Sequence, residues 1–123
     1  MQPLALLLYE RLLPGSQLLH RLQDLGYRVA SVPGPEALID TCLREKPIVL
    51  LADIIERTDA MCAALTRLRE TPETSHIPVI AIFSSSSPQM EEVARQTGAK
   101  LAVQDTAILA HLPQFMESAL SLE

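Results

Sequence analysis

The stretch Pro47-Ile-Val-Leu-Leu-Ala-Asp53 decides the fold class of this chain. Its apolar run, Ile48 to Leu51 with Ala52, has the length of a strand and does not alternate with polar residues. Strands that are buried on both faces have this pattern, because helices cover a parallel sheet from both sides. The run therefore predicts a strand of a parallel α/β sheet, with Asp53 at its carboxyl end.

Working outward from this run, strand-like and helix-like segments alternate. Four more strands are predicted, at Leu4 to Leu8, Tyr27 to Val32, Val79 to Phe83 and Leu101 to Gln104. Helical periodicity predicts helices at Ser16 to Leu25, Pro35 to about Glu45, about Asp59 to Arg69, Pro88 to Gly98, and about Leu112 to Leu122, with Pro113 in the first turn of the last. Five strand and helix pairs predict one domain over residues 1–123. We expect a three-layer, doubly wound five-stranded parallel sheet in the flavodoxin-like order 2-1-3-4-5.

Composition argues against several classes of function. Hydrophobic residues make up 48% of the chain and aromatic residues only 3%, so the core must be aliphatic. The 15 acidic and 10 basic residues give a net charge of -5, with Lys and Arg scattered, which argues against nucleic-acid binding. The run Leu4 to Leu8 is too short to span a bilayer and lacks the flanks of a signal peptide. We therefore expect a cytoplasmic domain that binds neither nucleic acid nor membrane.

The two cysteines give no sign of a metal or disulfide site. Cys42 and Cys62 fall within helical segments, and no His or Cys stands at a metal-binding spacing from either. We expect buried free thiols in a reducing compartment.

Polar residues follow several of the predicted strands. Ligands of an open doubly wound sheet bind outside the carboxyl ends of its strands. Tyr9 and Glu10 follow the first strand, Asp53 ends the third, and Asp105 follows the fifth. These carboxylates are expected to converge at one edge of the sheet, and Asp53 marks the only plausible site.

Over its whole length the sequence resembles the receiver domains of bacterial response regulators. Four segments carry the resemblance, in the family's order and at compatible spacings: Gly26-Tyr27-Arg28-Val29, Pro47 to Asp53, His76-Ile-Pro-Val-Ile-Ala-Ile82 and Gly98-Ala99. The resemblance implies a role in two-component signal transduction, in which a histidine kinase phosphorylates an aspartate of the receiver.

The resemblance also assigns roles to positions, and most of these are altered here. Receivers have a phosphoacceptor aspartate, an acidic pair that holds Mg²⁺, a hydroxyl residue after the fourth strand, a switch aromatic on the fifth strand and a lysine after it. Asp53 stands at the phosphoacceptor position and Glu10 at the second acidic position. The altered positions are Tyr9 at the first acid, Phe83 at the hydroxyl, Ala102 at the aromatic and Asp105 at the lysine.

These departures weaken phosphoryl transfer. Transfer to a carboxylate needs a cation and an ammonium group to neutralise charge on the phosphoryl oxygens. The candidate Mg²⁺ ligands are reduced to Glu10, Asp53 and the backbone carbonyl of Ile55, so weak binding at most is expected. One charge contact at about 4 Å is worth roughly 4 kcal/mol at an effective dielectric of about 20, and Asp105 reverses its sign. An acyl phosphate on Asp53 would therefore be poorly stabilised.

The serine run Ser84 to Ser87 leaves two alternatives open. Ser84 could supply the missing hydroxyl only if the fourth strand slipped by one residue, which needs a compensating bulge. The run could also cradle a phosphate with backbone amides, but capping of the fourth helix by Ser87 is the favoured interpretation.

Three functional hypotheses follow. The leading one is a degenerate, non-enzymatic pseudo-receiver that binds another signalling protein without phosphorylation and without a cofactor. The second is a phosphorylatable receiver in which Asp53 accepts a phosphoryl group from a histidine kinase by a weakened Mg²⁺-dependent route. The third is a small-molecule or flavin-binding module of flavodoxin-like form.

A candidate interaction face follows from the resemblance. In receivers the fourth helix, fifth strand and fifth helix commonly bind partners or form homodimers. The candidate residues in this region are Met90, Val93, Leu101, Leu109, Phe115 and Met116.

Overall fold

The computed structural model describes residues 2–9 and 12–121, the side chains of residues 12–15 excepted. Five parallel strands form one sheet in the order β2-β1-β3-β4-β5, which confirms the predicted topology. The strands are β1 Leu4–Leu8, β2 Arg28–Val32, β3 Val49–Asp53, β4 Val79–Phe83 and β5 Leu101–Gln104. The prediction for β1, β4 and β5 matches these bounds, whereas β2 and β3 each begin one residue later than predicted.

Helices connect the strands and cover both faces of the sheet. They are α1 Leu12–Asp24, α2 Leu38–Glu45 preceded by a 3-10 turn at Pro35–Ala37, α3 Thr58–Glu70, α4 Met90–Gln96, α5 Asp105–Ile108 and α6 Leu112–Ala119. No helix within residues 2–9 and 12–121 is long and apolar enough to cross a membrane.

The helix predictions missed the start of α1 and the separate short helix α5. α1 begins at Leu12, four residues before the predicted Ser16, and so includes Pro14 and Gly15. The first turn of a helix tolerates proline, because its N–H groups have no partner within the helix. The short helix α5 was not predicted. The helix expected from Leu112 is α6, and Pro113 lies in its first turn as predicted.

The core consists of two apolar layers, one on each face of the sheet. Neighbouring residues of β1 alternate between them: Leu6 belongs to the layer under α2, α3 and α4, and Leu7 to the layer under α1 and α6. All five residues of β1, β3 and β4 are buried. The continuous apolar runs in the sequence are therefore strands covered on both faces, as the parallel sheet requires.

Both cysteines are free thiols, and Cys42 is buried as predicted, whereas Cys62 is half-buried. Burial raises the pKa of the Cys42 thiol from 9.0 to about 11. Burial also raises the pKa of the Cys62 thiol, with a smaller contribution from the charge of Asp59.

We expect Cys42 to resist thiol reagents in the folded protein. The thiolate is the reactive species, and a pKa near 11 instead of 9.0 leaves about a hundredfold less of it near pH 8. In the Cys62→Ser variant, labelling with a chromogenic disulfide reagent should be slow in buffer and fast in denaturant. The Cys42→Ser variant, which keeps the half-buried Cys62, serves as the control and should react faster in buffer. Equal rates for the two variants in buffer would contradict the burial of Cys42.

Candidate functional site

The candidate site lies at the carboxyl end of β3, near the centre of the sheet. β1 and β4 flank β3, and Asp53 pairs in register with Ile82 of β4. Only 4% of Asp53 is exposed. The carboxylate lies here because the apolar residues before it form the buried strand β3, which ends at Asp53.

A local hydrogen-bond network fixes the turn after Asp53. Oδ1 of Asp53 accepts a hydrogen bond from the backbone N–H of Ile55 at 2.9 Å. The hydroxyl of Thr58 donates to the carbonyl of Ile54 at 2.6 Å and also lies 3.2 Å from that of Ile55. Aspartate commonly stabilises turns in this way. One oxygen of the carboxylate and the Ile55 carbonyl are therefore both engaged within the turn.

The predicted Mg²⁺ ligands are brought together only in part. Asp53 and the carbonyl of Ile55 lie in the same turn, whereas Glu10 lies outside the described residues. Within residues 2–9 and 12–121, no group of three or more His, Cys, Asp or Glu side chains is placed to hold a metal ion. The described part of this ligand set is therefore the Asp53 carboxylate, one oxygen of which accepts the Ile55 N–H, and the Ile55 carbonyl in the same turn.

Phe83, at the position where receivers have a hydroxyl residue, belongs to the hydrophobic core. Its exposed fraction is 3%, and it packs in the layer under α3 and α4. The register of β4 runs without interruption against β3 and β5, ending with Phe83 beside Gln104. The alternative in which Ser84 replaces it through a slipped register is therefore wrong, because the ladder contains no bulge. The Ser84 hydroxyl instead hydrogen-bonds with the Ser86 hydroxyl at 2.7 Å.

Asp105, at the position of the receiver lysine, holds the loop between β4 and α4. Its Oδ1 accepts a hydrogen bond from the backbone N–H of Ser85 at 3.0 Å. The bond joins the end of β5 to a loop twenty residues earlier in the chain. The side chain at this position thus binds a backbone donor, where a lysine would offer a cation.

The prediction that Ser87 caps the fourth helix was wrong. α4 begins at Met90, and the residue before it, Gln89, makes no side-chain capping bond. Pro88 and Gln89 form a separate turn, and Ser87 contributes its backbone carbonyl to the N–H of Met90 at 2.9 Å. The helix thus begins beyond the reach of a Ser87 cap.

A small apolar pocket lies beside Asp53, between the ends of β3 and β4. Its volume is about 160 Å³. The residues that line it are Ile54, Ile55, Thr58, Phe83, Ser84, Ser87 and Met90. None of these side chains is charged, so the pocket offers no cation to a phosphoryl group.

Sequence reasoning missed the roles of Thr58 and Ser85. The predicted third helix began at Asp59, whereas Thr58 is its first residue and its hydroxyl donates to carbonyls of the preceding turn, a contact that no capping preference indicates. The role of Ser85 lies in its backbone N–H, which no side-chain pattern reveals.

The remaining altered positions are structural. Tyr9 is half-buried against the layer under α1 and α6, and Ala102 is half-buried against the opposite layer. Ala102 pairs with Ala81 of β4, so a small side chain stands where receivers have their switch aromatic.

The six candidate interface residues differ in burial, and all but Met116 are half-buried. The prediction that Met116 belongs to the interaction face was wrong. Met116 is only 2% exposed and packs from α6 into the core. Leu109 lines a cavity beside α1 with Gln17, His20 and Arg21, and Met90 lines the pocket near Asp53. Val93, Leu101 and Phe115 are likewise half-buried, on the elements around the β5 edge.

Solved structures identify the fold. The CheY4 chemotaxis response regulator of Vibrio cholerae superposes on 98% of this chain and 100% of its own with a TM-score of 0.83, at 15% identity. The chain has the receiver fold. The BeF3-activated N-terminal receiver domain of Klebsiella pneumoniae RstA gives a TM-score of 0.81 at 19% identity, over 95% of this chain and 97% of that domain.

A larger protein contains the same receiver fold. NtrX of Brucella abortus matches 98% of this chain with a TM-score of 0.83 at 16% identity, and this chain spans only 27% of its length. No protein-family model and no curated protein matches the sequence. At these identities the receiver fold is shared, while the residues of its site must be judged one by one.

Proposed function

We propose that this chain is a degenerate receiver domain of two-component signalling, a pseudo-receiver that acts by binding another signalling protein in the cytoplasm without phosphorylation. The observation that carries the proposal is the hydrogen bond from the Ser85 N–H to Asp105 at 3.0 Å. The position that needs a lysine for phosphoryl transfer has an acid, and this acid already has a structural partner. Loss of the ammonium removes a principal stabiliser of the transferred group.

Burial of Asp53 and Phe83 supports the same proposal. Asp53 is 4% exposed. Phe83 packs in the core at the position where a receiver has the hydroxyl residue that responds to phosphate. In such a domain the loop between β4 and α4 keeps one conformation, because the Asp105 bond needs no phosphate to form. The domain would therefore present a constant surface to its partner, as a non-enzymatic binding module without a cofactor.

The face around the β5 edge is the proposed partner site. Val93 of α4, Leu101 of β5 and Phe115 of α6 are half-buried apolar residues on the elements that border this edge. Half-buried apolar side chains on an exposed sheet edge gain burial when a protein partner covers them. The proposed partner at this face is a protein, and the domain binds neither nucleic acid nor a membrane.

A second candidate function keeps the phosphorylation. Asp53 ends the third strand of a receiver fold, the position of the phosphoacceptor, and a histidine kinase would then be its partner. The structural neighbour RstA is described as BeF3-activated, which concerns that protein. In this chain the route would depend on Mg²⁺ held by Asp53, the Ile55 carbonyl and Glu10.

A backbone NMR titration with Mg²⁺ and a beryllofluoride phosphoryl mimic tests the two functions. We expect no saturable shifts at Asp53, Ser85 or the β5 edge, because the position of the lysine ammonium that would neutralise the mimic is occupied by the acid Asp105. The matched control is Asp53→Asn, whose spectrum should respond to the additions in the same way as the wild type. Saturable shifts that spread from Asp53 to β4 and β5, and that vanish in Asp53→Asn, would reject the pseudo-receiver and establish the second function.

A further inference from the structure

A cavity lies at the amino ends of β4 and β5, on the edge of the sheet opposite Asp53. Its volume is about 430 Å³, which is within the range of small-molecule sites. This amino-edge cavity is lined by the end of α3, the segment that leads into β4, the turn between α4 and β5, and the end of α6.

Among the described residues, every charged or titratable side chain that lines the amino-edge cavity is basic. These residues are Arg69, His76 and Lys100. The whole chain has 15 acidic and 10 basic residues, so its composition does not account for this lining. Glu70 and Glu73 are close in the sequence but do not line the cavity. Neither Arg69 nor Lys100 forms an ion pair with another described residue, so both charges are available to an anion.

Contacts with the backbone hold two of these cations at the turn between α4 and β5. Nη1 of Arg69 donates to the Gly98 carbonyl at 3.0 Å, and Cγ of Arg69 packs so closely that a Cβ on Gly98 would lie 3.0 Å from it. The backbone N–H of Lys100 donates to the Val79 carbonyl at 2.9 Å, and its ammonium donates to the Ser121 carbonyl. A guanidinium has five N–H donors and an ammonium three, so both groups retain donors for a ligand.

Apolar residues line the cavity beside these cations. Ile48, which is 39% exposed, lines it together with Ala99 and Leu120. Small-molecule sites combine apolar walls with a few placed polar groups, and arginine and lysine are the residues that commonly bind phosphate. We propose that the amino-edge cavity binds a small organic phosphate, whose phosphate group contacts Arg69 and Lys100 and whose apolar part covers Ile48. This inference does not depend on the proposed function, because Asp53 lies at the opposite edge of the sheet.

A backbone NMR titration with phenyl phosphate tests the site. We expect saturable shifts at the amides of Arg69, His76, Gly98 and Lys100, and an affinity that falls with added salt because salt screens the charges. Benzyl alcohol, a neutral compound with a similar apolar part, should give no saturable shifts. Inorganic phosphate should shift the same amides with a lower affinity, because it leaves Ile48 uncovered.

Substitution of each cation measures its contribution to binding. Arg69→Gln and Lys100→Gln should each weaken the binding of phenyl phosphate by about tenfold or more, because each removes a charged hydrogen-bond donor. Arg67→Gln is the matched control and should bind as the wild type does. Arg67 is also exposed on α3, but it lies two residues before Arg69, faces another side of the helix and does not line the cavity. Circular dichroism should show that all three variants are folded.

Four results would overturn the proposal. The first is a wild type that gives no saturable shifts with phenyl phosphate. The second is an equal loss of affinity in Arg67→Gln and Arg69→Gln, which would indicate a general effect of net charge. The third is an equal affinity for inorganic phosphate and phenyl phosphate, which would exclude a role of the apolar wall. The fourth is a set of shifts centred on Asp53, which would place the phosphate at the carboxyl edge of the sheet and bear on the proposed function instead.

Discussion

Replacement of Phe83 by threonine is expected to lower the free energy of unfolding by about 3–5 kcal/mol. This substitution introduces the hydroxyl that receivers have at this position. Phe83 is 3% exposed and packs with Ala81, Met90 and other residues of the layer under α3 and α4. The smaller side chain leaves a cavity and places a hydroxyl among apolar groups, and both effects destabilise the fold. Proteins of this size are stable by about 5–15 kcal/mol, so the loss is a large fraction of the total.

Urea unfolding followed by circular dichroism measures this loss. Phe115→Thr is the matched control, because Phe115 is only half-buried at the margin of the layer under α1 and α6, with its ring edge-on to that of His111 at a centroid distance of 6.3 Å. It should cost less than half as much. A cost below about 1 kcal/mol for Phe83→Thr would show that the side chain is not a core residue. The variant should also leave the beryllofluoride titration unchanged, since Asp105 still occupies the lysine position.

The strands were predictable because burial on both faces leaves a direct mark on the sequence. The bounds of β1 and β4 follow from runs in which every residue is apolar. The start of α1 was harder to predict from the sequence. Pro14 and Gly15 usually break helices and are tolerated here only because they lie in the first turn. Sequence patterns therefore predict the bounds of buried strands well, because burial on both faces dominates there. They predict helix ends less well, because several weak preferences compete there.

The candidate site was predictable in position and less so in contacts. Asp53 and Asp105 could be placed at the carboxyl edge from the strand ends alone. The bond between Asp105 and Ser85 could not, since it joins a side chain to a backbone N–H twenty residues away. Met116 could not be assigned to the core from apolarity alone, because an apolar side chain on a helix can face either the sheet or a partner. Which way it faces depends on the angle at which α6 packs.

The second large expected effect is a loss of stability from substitutions in β1, because the sheet is covered on both faces. Leu6 and Leu7 are adjacent and almost completely buried, but they point to opposite layers. Leu6 lies between Ala30 and Leu50 in the sheet, and Leu7 lies between Ser31 and Leu51. We expect Leu6→Ala and Leu7→Ala each to lower the free energy of unfolding by about 2–5 kcal/mol, because each removes buried methyl groups and leaves a cavity.

The comparison of the two variants tests the architecture as well as the packing. In a sheet covered on one face, only one of two adjacent residues is buried, so only one substitution would be costly. Leu43→Ala on α2 is the matched control, since Leu43 is 42% exposed and its change should stay within about 0.5 kcal/mol. Urea unfolding of the three variants under one condition gives the values. A large loss for Leu6→Ala with little loss for Leu7→Ala would mean that α1 and α6 do not cover the sheet.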